Sequence, residues 1–212
     1  LFLKMGKVCA IFGGSRGIGK AVAELLAQKG CRLAIIARNL EVAQTTARNL
    51  GGTYAALQLF LRCPMLRDGL LLRTKTEDMI AQIHTNLLGT MLTCKAAVKS
   101  MIQQQGGAIV NIGNIVGLKG NSGQIDFTLE GSRENLLEKF SCRLGNSSNI
   151  SPLLGFIHTE MTAHLEEDQL KKAILLGRFG EPHEVAQAVV FLLESPYVTG
   201  STLIVDGGLQ LL

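Results

Sequence analysis

The sequence predicts an α/β protein built as a single domain around one doubly wound sheet of parallel strands. Short apolar segments with strand character alternate with longer segments in which apolar residues recur at helical spacing. Apolar residues make up 47% of the 212 residues, with 24 glycines and no Trp, which is typical of a buried parallel sheet. No linker-like stretch divides the chain, so we expect one domain over residues 1–212.

The first strand–loop–helix unit carries the clearest functional signal. A strand is predicted over residues 7–11 and a helix over residues 20–29, with Gly30 placed to end the helix. The loop between them reads Gly13, Gly14, Ser15, Arg16, Gly17, Ile18 and Gly19. A glycine loop that enters a helix presents backbone N–H groups and the positive end of the helix dipole to a pyrophosphate. The stretch therefore predicts a dinucleotide-binding loop rather than an ordinary turn.

The end of the second predicted strand indicates which dinucleotide is bound. This strand covers residues 32–37, and Arg38 and Asn39 follow it. In dinucleotide-binding folds, an acid about 20 residues after the glycine loop accepts a hydrogen bond from the free 2′-hydroxyl of the adenine ribose. This position holds no acid, and the guanidinium groups of Arg16 and Arg38 suit a 2′-phosphate instead. We therefore expect NADP(H); the alternative is that Arg38 only solvates the strand end.

The remaining elements are less regular. One strand is predicted over residues 53–61, and a helix is predicted from Thr76, as its N-cap, to about residue 105. The other predicted elements are a helix over 40–49, a strand over 108–112, a helix over 181–195 and a final strand over 201–206.

Several short motifs resemble those of the short-chain dehydrogenases/reductases, most closely the beta-ketoacyl-carrier-protein reductases. The motifs cover residues 12–19, 37–39, 85–89, 109–112, 159–161, 180–186 and 199–208. The resemblance implies a Rossmann-like fold with seven parallel strands, and hydride transfer from NADPH to a 3-oxoacyl or quinone-like carbonyl. It also implies that Thr159 contacts the nicotinamide end of the cofactor.

The resemblance further implies a biological setting. Members of this kind form homotetramers or heterotetramers with another short-chain dehydrogenase. A mitochondrial matrix location and a role in fatty acid biosynthesis are expected on the same basis.

The family's catalytic set is only partly present in this chain. The resemblance assigns the water-holding Asn to Asn86, and the Ser, Tyr and Lys positions to Asn114, Phe127 and Gly131. A phenylalanine has no proton to donate, and without a nearby cation a tyrosine is a poor acid at neutral pH. Losing general acid catalysis costs about 10²–10⁴-fold in rate. The reductase activity that the resemblance implies is therefore expected to be impaired.

Two stretches depart from the family's pattern. Residues 53–66 hold one strand's worth of sequence where the family has a strand, a helix and another strand. Residues 125–154 no longer match, and Pro152 stands in an expected central strand, where a proline is unfavourable. We therefore expect an incomplete sheet with fewer than seven strands. Without the missing strand beside the first one, the sheet must either close a gap or use residues 54–61 as a substitute, and we expect the substitute.

Composition restricts the other function classes. The net charge of +4 is modest and its Lys and Arg residues are dispersed, so we expect no nucleic-acid partner. No apolar run reaches membrane-spanning length, and the four histidines lack the spacing of metal ligands. An odd count of five cysteines without a C-x-x-C pair indicates reduced thiols.

Three functions therefore remain open. The chain is an NADPH-dependent reductase of 3-oxoacyl or quinone-like substrates, a non-catalytic NADP(H)-binding or assembly subunit, or a defective gene product. Turnover, cofactor binding without turnover, and a non-cooperative melt distinguish the three.

Overall fold

Strands and helices alternate through the part of the chain that the structure, a computed structural model, describes: residues 6–51, 54–58, 75–116 and 147–211. The strands are β1 Val8–Phe12, β2 Arg32–Ala37, β3 Tyr54–Gln58, β4 Gly107–Val110, β5 Gly113–Asn114, β6 Ser147–Leu154 and β7 Ser201–Val205. The α-helices are α1 Gly17–Gln28, α2 Leu40–Asn49, α3 Thr76–Gln82, α4 Gly89–Gln103, α5 Glu167–Leu170 and α6 Pro182–Glu194. A π-helix spans Ile83–Leu88, and 3₁₀ turns span Lys171–Ala173 and Leu209–Leu211. Every strand pair is parallel, which confirms the predicted α/β class.

The chain divides into two compact units, which are described separately. The first unit comprises residues 1–60, 156–196 and 207–212, and the second comprises residues 61–155 and 197–206. The prediction of one domain over residues 1–212 stays a prediction. Residues 130–144, whose sequence has helical character, lie outside the described residues.

The sheet of the first unit has the order β1-β2-β3. Cys9 of β1 pairs with Leu33 of β2, and Leu33 in turn pairs with Tyr54 of β3. The expectation that residues 54–61 lie beside the first strand is therefore wrong: β3 lies beside β2. The connection through α2 is short, and a short crossover places consecutive parallel strands next to each other.

Helices α1 and α6 supply the core of the first unit. Each carries apolar residues at helical spacing, and these face inward. The buried side chains are Val22, Ala23 and Leu26 in α1, and Val185, Ala186, Val189, Val190 and Leu192 in α6. An ion pair between Lys29 and Glu194, 2.6 Å long, joins the C-terminal ends of the two helices.

The described cysteines are free thiols. Cys31 is buried, and Cys9 and Cys94 are half-buried. Burial raises the pKa of the Cys9 thiol to about 12, and the neighbouring Cys31 adds to this shift. Cys9 is therefore protonated and unreactive at neutral pH.

The sheet of the second unit is arranged around β6. β7 pairs with β6 along one edge, from Ile150 to Leu154. β4 pairs with the first half of β6 and β5 with its last two residues, so both lie along the opposite edge. Because β4 and β5 follow each other along the same edge of β6, they fill one place in the strand order. The seven described strands therefore fill six such places in the two sheets. This agrees with the expectation of fewer than seven strands.

Pro152 lies inside this central strand, where a proline was expected to be unfavourable. Ile150 is the last residue of β6 that pairs with β4, and Leu153 is the first that pairs with β5. The residues between them, Ser151 and Pro152, pair with neither strand. The carbonyl oxygens of Ile150 and Leu154 accept hydrogen bonds from the β4–β5 edge. Since backbone groups alternate between the two edges of a strand, the N–H that Pro152 lacks would point to the break between β4 and β5. The proline is tolerated because the ladder is interrupted where it sits.

The long helix predicted from Thr76 is divided into three parts. The N-cap position belongs to Lys75, not Thr76: Lys75 is extended, and its carbonyl accepts from Asp78 and Met79. Glu77 and Asp78 lie in the first turn, as predicted. The π-helix then separates α3 from α4, and such insertions occur frequently at functional sites.

The end of α4 shows an unexpected backbone conformation. Gln105 is the one non-glycine residue with a positive φ, 55°, in the described chain. Gly106 follows with its N–H bound to the carbonyl of Met101. A side chain in the left-handed region costs about 1–2 kcal/mol, and for this reason helices usually place a glycine there.

Replacing Gln105 by glycine should stabilise the protein. Relief of the left-handed strain, less the flexibility that glycine adds to the unfolded chain, should leave about 0.5–1 kcal/mol, or about 1–4 °C in melting temperature. The matched control is Gln104→Gly, because Gln104 has an ordinary helical φ of −87° and glycine there should destabilise. Equal melting temperatures for the two variants would contradict the argument.

Candidate cofactor-binding site

Close backbone packing forms the glycine loop between β1 and α1. Gly13 and Gly17 adopt φ values of 73° and 51°, in the region that glycine tolerates best. At Gly19 an added Cβ would overlap the carbonyl oxygen of Gly13 and lie 3.0 Å from Cα of Gly14. The loop can therefore turn this tightly only because position 19 lacks a side chain.

The N-terminus of α1 is left open to a ligand. Arg16 is the N-cap residue, and its side chain makes no capping hydrogen bond. The first turn of the helix contains no acid. The N–H groups of this turn and the positive end of the helix dipole thus form a cradle for phosphate. The predicted dinucleotide loop, with Ser15 and Ile18 between its glycines, has the geometry that such a group requires.

The rest of the first sheet holds this loop in place. Gly13 N–H donates to the carbonyl of Ile36 in β2, at 2.8 Å. The hydroxyl of Thr46 in α2 donates to the carbonyl of Ser15, at 3.1 Å. Gly14 is buried, and an added Cβ would lie 3.0 Å from the side chain of Ile11. The loop conformation is therefore determined by β1, β2 and α2 together.

The residues predicted to read the adenine ribose lie at the end of β2. Arg38 is exposed, and its carbonyl accepts a hydrogen bond from the Gln58 amide of β3, at 3.3 Å. The side chain of Asn39 accepts from the N–H of Val42 at 3.2 Å, which makes Asn39 the N-cap of α2. Asn39 therefore has a clear structural role beside its predicted cofactor role, which stays a prediction.

A turn over residues 157–162 lies against the glycine loop. A Cβ added at Gly17 would be 3.4 Å from Cγ2 of Thr159, which brings the predicted nicotinamide contact next to the loop. Thr162 stabilises this turn: its hydroxyl accepts from the N–H of Thr159 at 3.0 Å and donates to the carbonyl of Ile157 at 2.6 Å. Thr162 is a positioning residue that the sequence analysis did not identify.

The same turn brings an acid to Arg16. The guanidinium Nη1 of Arg16 lies 2.5 Å from Oε2 of Glu160. This contact joins residues separated by 144 positions, and no local pattern in the sequence indicates it. Glu160 is therefore a second residue at the site that the sequence analysis did not identify.

The first residues of this turn are tied to the segment that leads into α6. Ile157 and Gly180 form a parallel bridge, and the rings of Phe156 and Phe179 stack at 5.2 Å. Nε2 of His158 lies 3.4 Å from Glu167 and 3.9 Å from Glu181. These contacts hold the turn at its N-terminal end.

The N-terminus of α6 is held by a bidentate ion pair. Both guanidinium nitrogens of Arg178 contact the Glu184 carboxylate, at 2.7 and 2.8 Å, and the N–H of Glu181 also donates to it, at 2.8 Å. These hydrogen bonds, that of Arg178 first, lower the pKa of Glu184 from 4.5 to about 2.

The catalytic positions belong to the second unit and are described in part. Asn86 lies in the π-helix, and its amide donates to Gln82 at 3.3 Å. Asn114 ends β5, and its side-chain oxygen accepts from the N–H of Val116 at 2.9 Å. Phe127 and Gly131 lie outside the described residues. The roles assigned to these four positions stay predictions.

Among the described residues, no group of His, Cys, Asp and Glu side chains is arranged to hold a metal ion. No helix within residues 6–51, 75–116 and 147–211 is long and apolar enough to cross a membrane.

Comparisons with known proteins show what this chain resembles. The family profile described as short chain dehydrogenase matches residues 7–65, and the one described as Enoyl-(Acyl carrier protein) reductase matches residues 62–210. A Rattus norvegicus protein named 3-oxoacyl-[acyl-carrier-protein] reductase is 55% identical, over 98% of this chain and 99% of the relative. A Xenopus laevis protein named Carbonyl reductase family member 4 is 50% identical, over 98% of this chain and 99% of the relative.

Solved structures confirm the predicted Rossmann-like fold class. The crystal structure of a short-chain type dehydrogenase/reductase from Mycobacterium marinum matches with a TM-score of 0.90 and 26% identity, covering 99% of this chain and 97% of the other. The alignment with the rat protein has 237 positions, more than the 212 residues of this chain. The relative therefore has residues without a counterpart here, in agreement with the predicted missing segments.

Substituting Gly19 by alanine should destabilise the first unit. The added methyl group meets backbone atoms of Gly13 and Gly14, which cannot rotate away, and overpacking of this kind costs about 1–3 kcal/mol. The control is Gly106→Ala, because a Cβ there has nothing within 4 Å. Denaturant unfolding should separate the two variants, and equal stability would show that the loop relaxes freely.

Replacing Glu184 by glutamine should make the protein less stable in a pH-dependent way. Because the folded-state pKa of Glu184 is lowered from 4.5 to about 2, its ion pair stabilises the fold above pH 4.5 and is lost as the pH falls toward 2. Unfolding midpoints from neutral to acid pH should show the difference between wild type and Glu184→Gln shrinking over that window. Arg178→Gln should behave alike, and a difference independent of pH would contradict the argument.

Proposed function

Because this chain belongs to the short-chain dehydrogenase/reductase family, we propose that it is an NADP(H)-binding protein of the 3-oxoacyl-acyl-carrier-protein and carbonyl reductase kind with little or no catalytic turnover. The observation that carries the proposal is the intact glycine cradle in front of an uncapped helix. Beside it stands the assignment, from the resemblance, of Phe127 and Gly131 to the family's Tyr and Lys positions. When bound, NADPH supplies a hydride; the residues of this chain supply its binding site.

The described residues fit the cofactor. Gly13, Gly17 and Gly19 allow the backbone to approach a pyrophosphate, and the first turn of α1 offers its N–H groups. Arg16 and Arg38 provide two positive charges for a 2′-phosphate. Relatives named 3-oxoacyl-[acyl-carrier-protein] reductase support a nicotinamide cofactor of this kind.

The proton-transfer step is where this chain departs from its relatives. Reduction of a carbonyl requires a proton donor for the developing alkoxide, and Phe127 cannot provide one. The two tyrosines of the chain, Tyr54 and Tyr197, are followed four residues later by Gln58 and Ser201 instead of a Lys. The side-chain oxygen of Asn114 accepts from the N–H of Val116, which leaves its NH₂ group to polarise a carbonyl. We expect the loss of the acid alone to lower the rate about 10²–10⁴-fold.

A second candidate is a working NADPH-dependent reductase of small carbonyl or acyl-thioester substrates. The identity of 55% to a named 3-oxoacyl-[acyl-carrier-protein] reductase and the retained Asn86 favour it. Assembly as a homo- or heterotetramer with another short-chain dehydrogenase, and location in the mitochondrial matrix, are proposed on the family resemblance alone.

NADPH should stabilise the protein without being consumed. At a free concentration of 100 times Kd, binding contributes about 2.7 kcal/mol, which corresponds to a rise of about 5–11 °C in melting temperature. With a 3-oxoacyl thioester or an o-quinone, the absorbance of NADPH at 340 nm should fall no faster than the background rate. Turnover above background would favour the reductase instead, absence of any thermal shift would contradict cofactor binding, and a non-cooperative melt would favour a defective gene product.

The two exposed arginines at the opposite ends of β2, Arg38 and Arg32, provide a matched pair of variants for this experiment. Arg38→Ala should weaken NADPH binding about 10–100-fold, because charge-assisted hydrogen bonds contribute about 1.5–3 kcal/mol. NADH binding should change little, since NADH has no 2′-phosphate. The control is Arg32→Ala, which removes an exposed arginine from the other end of the same strand.

A further inference from the structure

The carboxylate of Glu160 lies against one of the two arginines that are predicted to bind the 2′-phosphate. Its carboxylate contacts the Arg16 guanidinium at 2.5 Å. The side chains are 56% and 71% exposed, so water and ions compete for both partners and the pair is weak enough to be displaced. Arg16 is therefore paired, but reversibly so, before any ligand reaches it.

The carboxylate is held near the loop by its backbone. The turn that carries Glu160 is held by Thr162, whose hydroxyl accepts from the N–H of Thr159 and donates to the carbonyl of Ile157. When a ligand displaces Glu160 from Arg16, the carboxylate can swing away only by the length of its own side chain. It remains a nearby negative charge.

A charge of this sign affects the two nicotinamide cofactors differently. A 2′-phosphate carries about 1.5 to 2 negative charges near neutral pH and binds Arg16 only by displacing the Glu160 carboxylate from it. A ribose with a free 2′-hydroxyl has no such charge. In dinucleotide-binding folds an acid near this hydroxyl favours NAD(H), and the end of β2 holds no acid in this chain.

We propose that Glu160 is a specificity-determining residue, which lowers the preference of this chain for NADP(H) over NAD(H) by competing with the 2′-phosphate for Arg16. The inference rests on the proposed function of the glycine loop as a cofactor site. It assigns Glu160 no part in the reaction. Thr162 acts in the same arrangement as the residue that positions the turn.

The experiment compares the dissociation constants of NADPH and NADH, measured by cofactor fluorescence, for wild type and Glu160→Gln. We expect NADPH to bind about two- to fivefold more tightly to the variant, the range that exposed ion pairs correspond to, while NADH changes less than about 1.5-fold. The gain should shrink as salt is added, because both partners are exposed and screening weakens their interaction.

Two further variants separate competition from a change in structure. Glu194→Gln removes the carboxylate of another long-range ion pair in this unit, that with Lys29, and should leave both dissociation constants unchanged. In an Arg16→Gln background, Glu160→Gln should no longer tighten NADPH binding beyond about 1.5-fold, because the contested group is gone.

The outcomes distinguish this inference from the function on which it rests. If wild type binds NADPH but Glu160→Gln gives no gain, a loss, or an equal gain for NADH, the competition is refuted and the cofactor site stands. A gain that persists in the Arg16→Gln background also refutes it. If neither wild type nor Glu160→Gln binds NADPH, the proposed function fails and the inference fails with it.

Discussion

The first unit depends on the backbone contact between Gly19 and the turn at Gly13 and Gly14. A methyl group at position 19 would occupy the space of the Gly13 carbonyl, so the approach is possible only for glycine. This contact sets the angle at which β1 leads into α1, and with it the direction of the helix N-terminus. The hydrogen bonds of the loop to Ile36 and from Thr46 follow from that path, because they require Gly13 and Ser15 to lie where they do.

The loop also explains why the turn at residues 157–162 can lie so close. Gly17 leaves room for the methyl group of Thr159, and the turn that brings Thr159 there carries Glu160 with it. A side chain at position 17 would be strained at its φ of 51° as well as crowded. The positions of the Arg16 and Glu160 charges at the loop are therefore determined by backbone packing more than by their mutual attraction. That attraction is weak because both side chains are exposed.

Sequence patterns predicted the features that are determined locally. The glycine loop, α2 and α6 appear within a few residues of their predicted bounds, because spacing and caps specify them. Features that depend on distant residues were not predictable. The place of β3 beside β2 depends on a crossover, the tolerance of Pro152 depends on the break between β4 and β5, and the Arg16–Glu160 contact joins segments far apart in the chain. The left-handed Gln105 contradicts the residue preference that would have placed glycine there.

Cofactor binding and reduction can be lost independently because different groups perform them. Binding draws on backbone N–H groups that any sequence keeps as long as Gly13, Gly17 and Gly19 keep their conformations. Reduction also needs one hydroxyl proton at one place, and a single substitution removes it. A chain with an intact glycine loop and a phenylalanine at position 127 therefore keeps the backbone geometry on which binding draws. Under the proposed function, it lacks the proton-donating side chain that reduction needs.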